Sequence, residues 1–277
     1  MHISYGKKVL QSGIGRAGLI ILSTLLLLAV IGPWISADPM QQTEDVLQAP
    51  STRHFSGTDD VGHDVWARLV MGARTSLLVA TGAGLLSTVL SAAVGISSGW
   101  TGGLYDRFSM RLVDAVLVMP TILVLILLSA FIQPTLFGLI VLISGLQWAG
   151  GARVLRAQTL TLKERPHVRA AQSFGAGPLH ILARHIVPDL GPLLIVSFIH
   201  RARRAVFMEA GLAFIGIVAP SVISWGMMIR NALGFYYTSA WTWWLLPPGI
   251  CLSLMILSFL FIGYALETIM EPRLSNA

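Results

Sequence analysis

The stretch ERPHVRAAQSFGAGPLHILARHIVP, residues 164–188, decides how the rest of the chain is read. It is polar and basic, and it lies between long apolar runs. Helix signals recur inside it. Pro166 suits a first helical turn, where its missing N–H leaves no hydrogen bond unmade. Residues 167–174 are helix-compatible, and Gly175 supplies a stop. Pro178 opens a second short helix over 179–186, which Pro188 is expected to close. Ala170 and Ala171 give the first helix a small face that another surface can approach closely. Composition alone reads the stretch equally as a polar loop, so its meaning depends on its surroundings.

Those surroundings are apolar. Of 277 residues, 55% are hydrophobic and 12% charged, and the mean hydropathy is +0.73. A soluble domain carries about a quarter charged residues. The deficit, together with runs long enough to cross a bilayer, predicts an all-α polytopic membrane protein. The net charge of +6 is what basic cytoplasmic loops produce, so it does not point to nucleic acid. The single cysteine, Cys251, sits in an apolar run and excludes an intrachain disulfide. The first apolar run is too long for a signal peptide and reads as a retained anchor.

In order, residues 1–16 form a short basic segment with Lys7, Lys8 and Arg16. Its GIGRAG matches G-x-G-x-x-G, but no strand precedes it, so the dinucleotide reading fails on context. Residues 17–36 are the first span. A connector, 37–75, carries Asp38, Glu44, Asp45, Asp59, Asp60 and Asp64, and its acidity places it outside with the N-terminus inside. Its GTDDVGHD piece lacks the acid spacing of a calcium loop and reads as a structural turn. Residues 76–277 then hold five more spans, near 76–99, 112–132, 136–148, 190–215 and 246–265. Gly95, Gly99 and Gly103 recur every fourth residue beside Ser91 and Ala92, a pattern for close helix packing. Residues 100–111 read as a short cytoplasmic loop, and Met119-Pro120 is expected to kink the third span. The loop 150–188 has Arg153, Arg156, Lys163, Arg165, Arg169 and Arg184 against Glu164, which makes it cytoplasmic. Residues 216–245 are aromatic, as at an outer membrane interface. Six spans with both termini cytoplasmic result.

One segment breaks the pattern. The fifth span contains HRARR, residues 200–204. Ionisable residues at membrane depth usually face a bundle interior, a water path or a partner. At about 100° per residue, His200, Arg201, Arg203 and Arg204 share one side of the helix. Together with Glu209 they are expected to belong to the translocation pathway, the cations lining it for an anionic group. The alternative is that they pair with acids such as Glu209 or with neighbouring subunits.

With these residues in view, a resemblance emerges. Residues 164–188 resemble the E-A-A-x3-G-x9-I-x-L-P loop of permease subunits of ABC importers. Arg169-Ala170-Ala171, Gly175 and Val187-Pro188 stand at that spacing. Arg169 occupies the acidic position and His185 an apolar one, so the docking contact is expected to rest on Ala170, Ala171 and the Gly175 turn rather than on an acid. HFSGTDDVGHDVWARLVMGARTSL, residues 54–77, resembles the H-P-L-G-T-D-x-x-G-R-D…R-x-S-L signature of dipeptide, oligopeptide and nickel permeases, with His63 replacing an arginine. EAGLAFIGI (209–217), SWGMMI (224–229), WWLLPPG (243–249) and ALETIMEPRL (265–274) resemble the same family.

The resemblance implies a type I ABC importer permease in the cytoplasmic membrane. Its partners would be a homologous second permease, two ABC ATPases, an extracytoplasmic solute-binding protein and the lipid bilayer. The stretch around Arg169, Ala170, Ala171, Gly175 and Pro188 would couple to an ATPase. The cargo would be di- or oligopeptides or, as the alternative, nickel or an anionic metal chelate. No G-x-x-x-x-G-K-[ST] occurs, so ATP is expected to be used by partner subunits, with no cofactor on this chain and no enzyme activity of its own. His180 and His185 lie five apart, off a common ligand face, and no metal site is expected. An intramembrane enzyme would need a pair such as Asp114 with His200, and no motif places them together. A plain structural anchor would need neither the basic stretch nor the intramembrane arginines.

Overall fold

Asp64 starts the helix on which the others are assembled. In the computed structural model, which describes residues 9–270, its side chain accepts a hydrogen bond from the Ala67 N–H at 2.9 Å. That satisfies one of the N–H groups a helix start leaves unpaired. Lys7 and Lys8 of the basic N-terminal segment, and the last residues of ALETIMEPRL, lie outside the described residues.

The first helix, α1 (Gly13–Ile35), is followed by the connector and then by α2 (Val65–Thr101), which at 37 residues is about 55 Å long. The connector therefore ends at Asp64 rather than at residue 75. Arg68, Gly72 and Arg74 interrupt the apolar pattern locally, but the Asp64 cap and the burial of Val65, Leu69, Val70 and Ala73 carry the helix through them.

Beyond α2 the chain forms α3 (Gly103–Val118), α4 (Thr121–Ile132) and α5 (Leu136–Lys163). The axes of α3 and α4 differ by 81° across Met119-Pro120, the expected break. Residues 103–111, expected as loop, are the first turns of α3, and α5 continues to Lys163 instead of ending near 148. One cause serves both extensions: Asp106 of α3 takes two hydrogen bonds from Arg156 of α5, and Asp114 pairs with Arg153. Two of the basic residues that looked like loop, Arg153 and Arg156, are neutralised by acids of α3.

Next come α6 (Pro166–Ser173), α7 (Pro178–Ile181), α8 (Val187–Ile215), α9 (Trp225–Leu233) and α10 (Leu246–Met270). The long α2 packs on α5 and α8, and α1 packs on α2 and α10. Gly99 lets α2 approach α5: a Cβ there would stand 2.9 Å from the Arg156 carbonyl oxygen, and Gly95 lies as tightly against Ala152. The expected glycine stripe stops at Gly99. Gly102 and Gly103 have φ +66° and +63° and turn the chain into α3. Among the described residues, five helical segments are long and apolar enough to cross a membrane, and the bent α3–α4 pair makes a sixth.

The two ends of α2 differ. At its start, Asp59 is buried and accepts from the N–H groups of Val61 and His63 and from Arg68 Nη1 at 2.7 Å, with His63 Nδ1 2.9 Å from its carboxylate. The Asp-rich piece is thus a folded turn that grips the first turns of α2. Trp243 reaches this turn through its indole N–H, 3.4 Å from the Thr58 carbonyl. At the other end, Lys163 Nζ donates to the Trp100 carbonyl at 2.8 Å, which brings residues 164–188 beside the end of α2.

Candidate functional site

A cavity of about 590 Å³ opens between α5 and α8. Its charged lining is His200, Arg201, Arg203 and Arg204, all from α8. Opposite them α5 contributes Gln147, Gly150 and Gly151. Four residues expected on one helical face therefore do share one space. Glu209 does not join them. Five residues past Arg204, it is turned about 140° round the helix. It is fully buried against α2, where Ser76 Oγ donates to its Oε2 at 3.4 Å. It is no partner for the arginines.

Arg201 is 8% exposed and, among the described residues, is held without an acid. Its guanidinium donates to Ser91 Oγ at 3.1 Å and Thr88 Oγ1 at 3.4 Å. Both hydroxyls are oriented for this. Thr88 donates its own proton to the Gly84 carbonyl at 2.7 Å, and Ser91 lies 2.7 Å from the carbonyls of Ser87 and Trp148. Their lone pairs are left for the arginine. Gly151 supplies the space, for a Cβ there would stand 2.7 Å from Arg201 Cζ. Arg203 is half-buried and Arg204 exposed, and neither has an ion pair among the described residues. His200 faces Glu267 of α10 with Nε2 2.6 Å from the carboxylate. Asp114 and His200 are not brought together, since each has a different partner.

The stretch 164–188 forms a second site. Pro166 opens α6, which ends in a paired turn: the Gly175 N–H donates to the Gln172 carbonyl at 2.9 Å and the Ala176 N–H to the Ala171 carbonyl at 3.0 Å. Gly175 has φ +81°, which this turn requires and glycine adopts freely. Pro188 does not end the following helix. A wide π turn, Leu182–Ile186, joins α7 to α8, and Pro188 sits in the first turn of α8, where its missing N–H is tolerated. Residues Pro178–Ile215 are one continuous helical rod of 38 residues.

Val168, Ile181 and Ile186 anchor the stretch on Leu155 and Leu162 of α5. Arg165 and His167 lie 3.6 and 3.5 Å from Asp189. Arg169 pairs with Glu164. Ala170 is exposed, Ala171 is half-buried against the local core, and nothing crowds Gly175. Two large apolar residues flank the turn and face outward, Phe174 at 92% and Leu179 at 82% exposure. Neither stands out by sequence pattern alone; their signal is an aromatic and a leucine on either side of a glycine turn.

Residues 91–276 match the family described as binding-protein-dependent transport system inner membrane component. The chain is 36% identical over 264 residues to a Brucella suis protein provisionally named a peptide transport system permease, covering 94% of this chain and 88% of the relative. A second Brucella suis protein, provisionally named a peptide permease, is 35% identical over 269 residues, 96% and 89% of the two chains. The dipeptide transport system permease protein DppC of Bacillus subtilis is 32% identical over 271 residues, 97% and 84% of the two chains.

Proposed function

The chain belongs to the family of inner membrane components of binding-protein-dependent transport systems, and from that premise we propose that it forms one half of an import pathway for di- and oligopeptides. It is a multi-pass ABC permease of the cytoplasmic membrane. A homologous permease completes the pathway, two separate ATPases drive it and an extracytoplasmic solute-binding protein delivers the cargo. The basic excess of 150–188 supports a cytoplasmic position for that end and, with six spans, for both termini. There Arg169, Ala170, Ala171 and the Gly175 turn dock on an ATPase, and the rod Pro178–Ile215 carries the displacement to the cavity.

The observation that carries the peptide reading is the sign of the cavity. His200, Arg201, Arg203 and Arg204 line it; among the described residues no carboxylate does, although Glu267 pairs with His200 from α10, which leaves the three arginines to set the sign. Two unit charges 4 Å apart interact by about 4 kcal/mol at an effective dielectric of 20, so this lining attracts a carboxylate and repels a bare dication. The relatives carry peptide or dipeptide transport in their names, which supports the same cargo. An anionic metal chelate has the same sign as a peptide carboxylate and is the alternative cargo for the same machinery.

The test is ATP-driven uptake by the complete complex in proteoliposomes, comparing labelled di- and tripeptides with nickel and a nickel–histidine chelate. Peptide accumulation is expected. Accumulation of chelate without peptide overturns the reading. This chain reconstituted alone is expected to show neither uptake nor ATP hydrolysis.

A further inference from the structure

Arg201 is not the only buried polar group of the cavity that lacks a full partner. Gln147, on the facing helix, is 9% exposed. Its Nε2 rests on the Met208 sulfur at 3.3 Å, and its Oε1 has no hydrogen-bond partner among the described residues. Whichever way the amide is turned, one end meets a weak acceptor and the other meets nothing. A buried polar group in that condition is costly unless a ligand completes it. Arg201 is in a related state. A guanidinium offers five N–H donors, and two neutral hydroxyls engage it here without cancelling its charge. The cavity thus presents, across one gap, a buried cation that needs an anion and a buried amide that needs a donor or an acceptor.

One chemical group fits both. The end of a peptide carries a carboxylate next to a backbone amide, the first for Arg201 and the second for Gln147. We infer that this cavity reads the C-terminal end of the peptide, with Arg201 binding the carboxylate, Gln147 pairing with the last backbone amide and Arg204 extending the positive rim. A peptide then passes with its carboxyl end against this subunit and its amino end toward the partner permease. The inference rests on the peptide reading of the cavity and goes beyond it, because it assigns polarity to the cargo. Depth agrees with a waypoint rather than an entrance. Thr88 and Ser91, which hold Arg201, lie nine to twelve residues before Trp100 at the end of α2, about 15 Å along a helix.

The experiment uses the complete complex in proteoliposomes, with trialanine and trialanine amide each supplied at a concentration that saturates the solute-binding protein. The wild type is expected to import the free acid faster. Arg201→Gln lowers free-acid uptake about tenfold and amide uptake far less, which abolishes the preference. Arg204→Gln, at an exposed position with no ion pair among the described residues, lowers it by about threefold in the same selective way and decides the matter if Arg201→Gln fails to assemble. Equal import of acid and amide by the wild type overturns the inference. So do equal losses of both forms in the variants, the result expected if Arg201 is neutralised by a carboxylate of the partner permease. Undiminished import in both variants also overturns it, by placing the cavity off the route. Each of these leaves peptide import itself standing; the peptide reading fails separately if the wild-type complex imports no peptide.

Discussion

Gly151 of α5 yields its side-chain space to the guanidinium of Arg201: a Cβ at Gly151 would stand 2.7 Å from Arg201 Cζ and 2.8 Å from Ser91 Oγ. The cation is thereby held against Thr88 and Ser91, between two helices whose backbones cannot part without losing their packing. Gly151→Ala is expected to expel the guanidinium from that cradle while α5 remains helical. ATP-driven peptide uptake by the assembled complex should fall about tenfold, with membrane insertion retained. Gly145→Ala, on the same helix with nothing within 4 Å, is the control and should transport as the wild type does. Normal uptake by Gly151→Ala would show that the position of Arg201 is immaterial.

Coupling is tested at the opposite site. Phe174 and Leu179 are exposed apolar residues on either side of the Gly175 turn, so replacing them leaves the subunit's own packing intact. Buried aromatic and aliphatic anchors are where interfaces concentrate their energy, with losses of about 2 kcal/mol or more on truncation. Phe174→Asp and Leu179→Asp should each reduce ATPase co-purification and uptake by tenfold or more. Gly175→Asp and Ala171→Arg should uncouple transport while leaving membrane insertion unchanged, the first by straining the φ +81° turn and the second by obstructing its approach. Full uptake with all four variants would move the docking surface elsewhere.

What could be read from sequence was what local chemistry controls. Six spans follow from hydropathy, and the ends of α6 from Pro166 and Gly175, because a cap is made by residues within one turn of it. The shared face of His200, Arg201, Arg203 and Arg204 follows from helical periodicity. Pro188 misled because the π turn ahead of it has no compositional mark. The lengths of α3 and α5 misled because Arg153 and Arg156 are neutralised by acids 39 and 50 residues away. The partners of Arg201 were out of reach for the same reason. Ser91 and Thr88 are 110 and 113 residues distant, and no local pattern links them.

The connector turn makes a stability prediction. Asp59 is buried and is the shared acceptor for Arg68 and two backbone N–H groups, with the His63 ring against it. Removing one partner of a buried ion pair leaves an uncompensated charge and costs about 3–5 kcal/mol. Asp59→Ala should lower the unfolding midpoint of the detergent-solubilised subunit accordingly. Glu44→Ala, an exposed acid of the same connector, should change stability by less than about 0.5 kcal/mol. If the two variants unfold alike, the Asp59 network does not hold the connector to α2.

Asp60, next to it, responds in the opposite sense. Its half-buried position, and then the charge of Asp59, raise its carboxyl above the ordinary aspartate value of 3.8. The folded chain therefore binds this proton more tightly than the unfolded chain does. Its stabilising contribution is present below 3.8 and is lost as pH rises through the folded value, beyond which the ionised group costs stability. Asp60→Asn removes that cost. It should unfold at a higher temperature than the wild type at pH 7, and the difference should shrink as the pH is lowered toward 3.8 and vanish below it. Thermal unfolding of both proteins across that range checks the sign. A difference that stays constant with pH would show that the carboxyl of Asp60 does not ionise against its surroundings.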